Sequence, residues 1–252
     1  MARMKFMNTE IDNLTMKETL QAIDGLIKEN KSAYVVTPNV DHIVQLETNK
    51  ELQAVYKNAS LILTDGKPLL WIAKWYGTPI KEKISGSDLF PLLCDLAARK
   101  GHRMFFLGAA EGVAAKAAEN LTKRYKGLQV VGTYSPPFGF ENNPAEMEKI
   151  KAMIKEAEPH ILIVGLGCPK QEKFMYHHCK DLEVPISLGL GASFDFEAGN
   201  IKRAPRWMSD HGLEWLFRIT QDPKRMAKRY LVDDRKILGM ALKYQKRNKN
   251  GT

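Results

Sequence analysis

Six short apolar runs recur along the chain without the apolar–polar alternation of a strand that has one wet face: Ala33-Thr37 (AYVVT), Ser60-Thr64 (SLILT), Arg103-Leu107 (RMFFL), Leu128-Val131 (LQVV), His160-Val164 (HILIV) and Pro185-Leu190 (PISLGL). Strands of this kind need cover on both faces, which restricts them to the interior of a layered sheet. Helical periodicity fills the gaps, over 16–29, 41–57, 68–76, 87–100, 111–125, 145–156 and 170–180. Alternating strands and helices predict an α/β fold, an open and mostly parallel sheet with helices on both faces. KFMNTEIDNL near the start suggests a small hairpin, and Tyr134-Asn143 (YSPPFGFENN) a loop. Beyond about residue 195 the strand signal stops. The expected division is a core over 1–195 and a helical appendage over 196–252.

Charge is distributed as unevenly as structure. From Lys224 to Thr252 ten Lys/Arg face only Asp233 and Asp234, a net +8 of the whole-chain +9. Met226, Tyr230, Leu231, Ile237, Leu238, Ala241 and Leu242 recur there every three to four positions, the pattern of an amphipathic helix. A basic amphipathic segment on a neutral body suits an anionic partner: a membrane surface, a nucleic acid or a phosphorylated substrate. A solvated helix packed on the body is the alternative. No apolar run approaches the roughly 20 residues of a membrane span, and MARMKFMNTEIDN has no signal-peptide pattern. The expected location is cytoplasmic, with membrane contact at most peripheral. Cys94, Cys168 and Cys179 form no C-x-x-C and no zinc spacing, so they read as reduced structural thiols.

In such a sheet, ligands bind beyond the carboxyl ends of the strands. Those ends are Thr37-Pro38-Asn39-Val40-Asp41, Thr64-Asp65-Gly66, Gly108-Ala109-Ala110-Glu111-Gly112, Gly165-Leu166-Gly167-Cys168-Pro169-Lys170-Gln171-Glu172 and Gly189-Leu190-Gly191-Ala192-Ser193. Glycine turns that run into a helix start can hold phosphate on backbone N–H groups, Gly108 and Gly167 among them. Packing glycines look the same. Neither turn is a full dinucleotide fingerprint or Walker loop, so a nucleotide-dependent oxidoreductase is unsupported and no cofactor is expected. An RNA-binding role is disfavoured, because aromatic residues are not interleaved with the basic ones.

Several motifs taken together say more. TPNVDHI (Thr37-Ile43), LTDGKPL (Leu63-Leu69), ISGSDLF (Ile84-Phe90), FFLG (Phe105-Gly108), VGLGCPKQEKF (Val164-Phe174), GLGASFDFEAGNIKRAPRWM (Gly189-Met208) and GLEWLFR (Gly212-Arg218) occur in this order. Over roughly residues 5 to 235 the chain closely resembles the WecG/TagA/CpsF family of bacterial glycosyltransferases. The resemblance implies a Rossmann-like core whose helical basic appendage docks near the active site and contacts membrane. It implies an inverting, metal-independent transfer of N-acetylmannosamine from a UDP-sugar donor to N-acetylglucosamine on an undecaprenyl diphosphate acceptor, at the inner membrane face. Other members imply an N-acetylmannosaminuronic acid or glucose donor. No nucleic acid partner is implied, and a homo-oligomer is possible.

Inverting transfer needs a base for the acceptor hydroxyl and positive charge at the departing diphosphate. Asp65 is the leading base, in the motif where the family's candidate catalytic aspartate falls; capping of the next helix is its alternative. Asp195-Phe196-Glu197 lacks the second Asp of a metal-binding Asp-x-Asp, so no metal site is expected. Arginines offer the replacement, since a guanidinium fork matches a diphosphate. Arg218, Arg225 and Arg229 sit at spacings of seven and four, Arg218 within GLEWLFR; ordinary surface arginines are the alternative. Thr37 and Asn39 are candidates to bind sugar hydroxyls or to close the turn on Pro38. Gln171 is a candidate for sugar or phosphate, with Lys170 and Glu172 expected to face water. Lys83 stands where many family members have Arg, which leaves its diphosphate contact open. His42 reads as packing, and His177-His178 receive no role.

Overall fold

The computed structural model describes residues 3–250, except for the side chains of Arg206, Asp210, Arg225, Val232, Asp233 and residues 247–250. An antiparallel hairpin of β1 (Met4–Phe6) and β2 (Thr9–Ile11) leads into α1 (Met16–Glu29). A reciprocal capping box starts that helix, Thr15 bonding the Glu18 N–H while the Glu18 carboxylate accepts from Thr15. Then follow β3 (Ala33–Val36), α2 (Val40–Leu46), α3 (Lys50–Asn58), β4 (Leu61–Ile62), α4 (Lys67–Trp75), α5 (Gly86–Lys100), β5 (Arg103–Gly108), α6 (Val113–Arg124) and β6 (Gln129–Tyr134). The core closes with α7 (Pro144–Ala157), β7 (Ile161–Gly165), α8 (Lys170–His178), β8 (Ile186–Gly189) and α9 (Ser193–Ala198). The single helix expected over 41–57 is two, because Asn49 accepts the Leu52 N–H and starts α3 afresh.

Six strands form one sheet in the order β4-β3-β8-β7-β5-β6, every neighbouring pair parallel. The unbroken apolar runs follow from this burial. Tyr34, Val36, Phe105, Leu107, Leu162 and Val164 pack toward α2, α3, α4, α7 and α8. The intervening Val35, Met104, Phe106, Ile161 and Ile163 pack toward α1, α5, α6 and α9. Close approach explains two strand-end glycines. A Cβ on Gly108 would lie 2.5 Å from the Gly165 carbonyl oxygen, and one on Gly165 would lie 2.5 Å from the Phe194 ring. The helices after the adjacent central strands β3 and β8 leave toward opposite faces, opening a crevice at the carboxyl edge where an α/β sheet takes its ligand.

The division expected at 195/196 falls inside α9. Beyond it come α10 (Arg206–Asp210), α11 (Glu214–Gln221), α12 (Pro223–Lys228) and α13 (Lys236–Asn250). The tail periodicity suggested one amphipathic helix, but a π-helical turn over Arg229–Asp233 interrupts it. One face of α13 is covered: Ile237, Met240 and Ala241 join the core beside α2, and the Tyr76 hydroxyl donates to the Ala241 carbonyl at 2.8 Å. Lys243 and Tyr244 both bond Glu47. The other face leaves Leu238 and Leu242 exposed. The tail is thus part docked helix, part open amphipathic surface. Among the described residues no helix is long and apolar enough to cross a membrane.

Candidate active site

The carboxyl ends of β3, β4, β5, β7 and β8 open onto one cleft of about 620 Å³, completed by the 136–141 loop and by residues of α11, α12 and the π-helical turn. Thr37, Asn39, Asp65, Gly167, Gln171, Arg218 and Arg229 all line it. Lys83 and Gly108 do not: Lys83 is held behind the wall by Asp88 at 3.2 Å and Glu214 at 3.9 Å, and Gly108 is the close-approach glycine already described. Arg225 belongs to α12, but its side chain lies outside the described residues.

Asp65 does not cap α4. Gly66 takes that position with no side-chain cap, while the Asp65 N–H donates to the Pro38 carbonyl at 2.8 Å and ties β4's end to the TPN turn. Among the described residues the Asp65 carboxylate accepts no hydrogen bond. Burial, reinforced by Glu214, pushes it up to about 6, against the pull of Arg218 and Lys83. Glu214 is the organiser here. Its Oε1 accepts from Arg218 at 2.7 and 3.2 Å, one helical turn apart on α11, and its Oε2 faces Lys83. The guanidinium also lies 5.5 Å from the Phe196 ring centre. Asp88 extends the network, pairing with Lys83 and Arg203.

The opposite wall is built on His42. Its Nδ1 lies 2.9 Å from Asn39 Oδ1 and its Nε2 3.2 Å from Glu172 Oε1. Glu172, expected in water, is fully buried; it stands one helical turn before Met175 on the face that α8 turns inward. Gln171 spans from Glu172, to which its amide donates at 2.8 Å, to the Gly191 N–H, which it accepts at 3.2 Å. Both ends of its amide are therefore engaged within the protein. Asn39 caps α2, and its Oδ1 also accepts from Arg229 at 3.1 Å. Thr37 donates to the Gly189 carbonyl at 3.4 Å. Each of these polar groups braces a strand end as it faces the cleft.

Two donor sets bear on metal. Asp195 lines the cleft, but the Glu197 carboxylate is ion-paired with Arg124 at 2.8 Å and forms no pair with it. His42, Cys168 and Glu172 bring nitrogen, sulfur and oxygen within 4.8 Å of one another, a combination suited to a borderline-soft cation. Both ring nitrogens of His42 already face oxygen acceptors, however, and burial pushes the Cys168 thiol up, away from the thiolate a metal needs.

Of the residues picked from the sequence, Asp65, Arg218 and Arg229 line the cleft, while Glu214 was passed over although its signal was present: Glu214 and Arg218 stand at i,i+4 within GLEWLFR. His42 and Glu172 had no local signal, being 130 residues apart.

The family model for glycosyl transferases of the WecG/TagA/CpsF type matches residues 4–251. The chain is 34% identical over 221 residues to the Bacillus spizizenii protein named N-acetylglucosaminyldiphosphoundecaprenol N-acetyl-beta-D-mannosaminyltransferase, covering 87% of this chain and 82% of that one. Proteins of the same name from Bacillus subtilis and Staphylococcus aureus are 30% and 26% identical, the alignments covering 79% and 90% of this chain and 75% and 88% of theirs. With the match running through core, cleft and appendage alike, the chain belongs to the WecG/TagA/CpsF glycosyltransferase family.

Proposed function

We propose that the chain transfers N-acetylmannosamine from UDP-N-acetylmannosamine to N-acetylglucosamine carried on undecaprenyl diphosphate, with inversion and without a metal ion. The relatives' names support the substrates. The observation that carries the mechanism is the wall where Asp65, without a hydrogen bond among the described residues and raised to about 6, stands within the field of Arg218. Asp65 takes the proton of the acceptor hydroxyl as its oxygen attacks the anomeric carbon. The bond to the β-phosphate oxygen breaks on the opposite side and UDP leaves. Arg218, with Arg225 and Arg229, takes up the charge that develops on the diphosphate. Thr37, Asn39, Gly167 and Gln171 shape the sugar and phosphate subsites, and Lys83, paired with Asp88 and Glu214 outside the cleft lining, is left out of the diphosphate site.

The lipid acceptor calls for a membrane surface, and exposed Leu238 and Leu242 beside Arg235, Lys236 and Lys246 supply apolar and cationic contact. Peripheral association with the inner face of the cell membrane follows. The test is a screen of UDP-sugars against a short-lipid diphosphate-N-acetylglucosamine acceptor, read by product mass and anomeric configuration, with and without EDTA. A β-linked N-acetylmannosamine product that survives the chelator supports the reading. A different preferred donor, a retained configuration, or loss restored by Mg²⁺ or Mn²⁺ overturns the corresponding part.

A further inference from the structure

A continuous line of polar contacts crosses behind the cleft floor, from the appendage to the end of β8, and it passes through one imidazole. Arg229 donates to Asn39 Oδ1, Asn39 Oδ1 meets His42 Nδ1, His42 Nε2 meets Glu172 Oε1, and Gln171 joins Glu172 to the Gly191 N–H. The identities of these partners fix the protons. Asn39's oxygen is fixed as an oxygen, because it receives the Arg229 guanidinium and the His42 backbone N–H, neither of which can accept. His42 Nδ1 has two partners of opposite demand, the Asn39 backbone N–H at 3.4 Å, which would donate to it, and Asn39 Oδ1 at 2.9 Å, to which it would donate; the shorter contact assigns it as a donor. Nε2 faces a fully buried carboxylate that already accepts from Gln171, so it too donates. A ring with two donors is an imidazolium.

We propose that His42, held as an imidazolium between Glu172 and Asn39, is the positioning residue that aims the Asn39 amide nitrogen into the cleft and presents its oxygen to Arg229. Seating of the appendage and orientation of a substrate-binding amide then become one event; this rests on the reading of the cleft as a glycosyl-transfer site. With its oxygen held by three donors, Asn39 cannot flip, and its NH₂ has no partner among the described residues although the side chain lines the cleft. The other groups around the ring are Cys168 before α8, the Tyr56 ring from α3 at 6.3 Å, and Asp41 beside Arg229. Burial opposes the charged ring, whereas a hydrogen bond to the Cys168 sulfur and the charge and hydrogen bond of the Glu172 carboxylate favour it and raise the ring above the usual histidine range. Since the folded value is raised, the imidazolium's contribution is present below the ordinary histidine value and is lost as pH rises through the folded one.

Two measurements test this. Side-chain ¹⁵N NMR of the resting full-length protein, with His42 assigned by its absence from His42→Gln, needs no substrate. Protonation of both ring nitrogens at pH 7.5, lost in Glu172→Gln, is expected. A neutral ring, or one whose Nε2 is taken by a co-purified metal ion, overturns the proposal. Kinetics supply the second readout. Asn39→Ala and His42→Gln should each lower kcat/KM about tenfold to a hundredfold through misplacement of substrate, and the double variant should be no worse than the worse single one. Glu172→Gln should move the alkaline limb of the pH profile down by about one unit, a shift that a purely structural role would not produce. Additive losses with an unmoved limb overturn the positioning role. A doubly protonated ring in a wild-type protein that turns over no UDP-sugar overturns the transfer reading instead, so the two failures are distinguishable.

Discussion

The two walls of the cleft hold their carboxylates in opposite ways. Glu172 is fully buried yet satisfied on one oxygen by two donors, His42 and Gln171. Asp65 opens to the cleft, accepts no hydrogen bond among the described residues, and has Glu214 close enough to raise it further. A buried carboxylate held by two donors is fixed in position and can orient its neighbours. An unpaired one, displaced upward, is poised to change protonation near neutral pH. Each wall also receives an arginine from the appendage, Arg218 on one side and Arg229 on the other. The contrast matches the proposed roles, Asp65 as the base and Glu172 with His42 as the groups that aim a substrate contact.

The sharpest way to break the comparison is to neutralise both carboxylates without changing their shape. Asp65→Asn should reduce turnover by about 10² to 10⁴, the usual worth of a general base, with little change in UDP affinity. It should also stabilise the fold. Asp65 binds its proton more tightly folded than unfolded, so stability declines as pH rises from 3.8 to about 6, and the full cost of the ionised form is present above that. Removing the charge recovers up to about 3 kcal/mol at pH 7.5, at about 1.4 kcal/mol per unit. Glu172→Gln should do the reverse for stability, losing roughly 3 kcal/mol by breaking a buried pair. Denaturant melts of both variants decide this; a loss of stability in each would mean that the walls do not differ in kind.

The arginines give the next largest effect. Arg218→Ala should cost about 10² to 10³ in kcat, the range for one preorganised donor at a developing charge. Arg218→Lys should recover only part, because an ammonium keeps the charge and loses the fork. Single-turnover rates with a water-soluble acceptor isolate this from any membrane contribution. If Arg218→Ala leaves the single-turnover rate near normal, leaving-group charge must come from elsewhere in the cleft.

What was legible in the sequence follows the same division. Buried parallel strands leave continuous apolar runs, so the sheet, its carboxyl edge and the residues standing there could be read directly. Asp65 was visible from its place at a strand end before Gly66 and from the resemblance of LTDGKPL to the family motif, with helix capping as the alternative. The break between α2 and α3 was not, since Asn49 competes for a helix start through one hydrogen bond that periodicity does not register. Nor was the interruption of the tail over Arg229–Asp233, which places Arg229 against Asn39 and lets α13 turn Met240 and Ala241 onto the body. Glu172 and Glu214 lie more than a hundred residues from His42 and Lys83 in sequence, and only the packing of α8 and α11 against the sheet brings them together.

The smallest expected effect is the most diagnostic of how the Asp65 wall is tuned. Glu214 acts on Asp65 in two ways that share a sign: its own charge raises the carboxyl, and it neutralises part of Arg218 and Lys83, which would otherwise lower it. Glu214→Gln removes both effects while keeping an oxygen that can accept from Arg218. The acid limb of kcat/KM, set by the free enzyme's base and expected near 6, should therefore move downward by about one unit. The plateau above pH 7 should change little, because Asp65 is ionised there in either protein. Arg218→Ala should shift the same limb upward, since it removes the cation that opposes Glu214. A limb that stays in place in both variants would show that the titrating group is not Asp65. A limb that moves upward in Glu214→Gln would show that Glu214 serves chiefly to hold the two cations in place, and that their loss outweighs the charge removed.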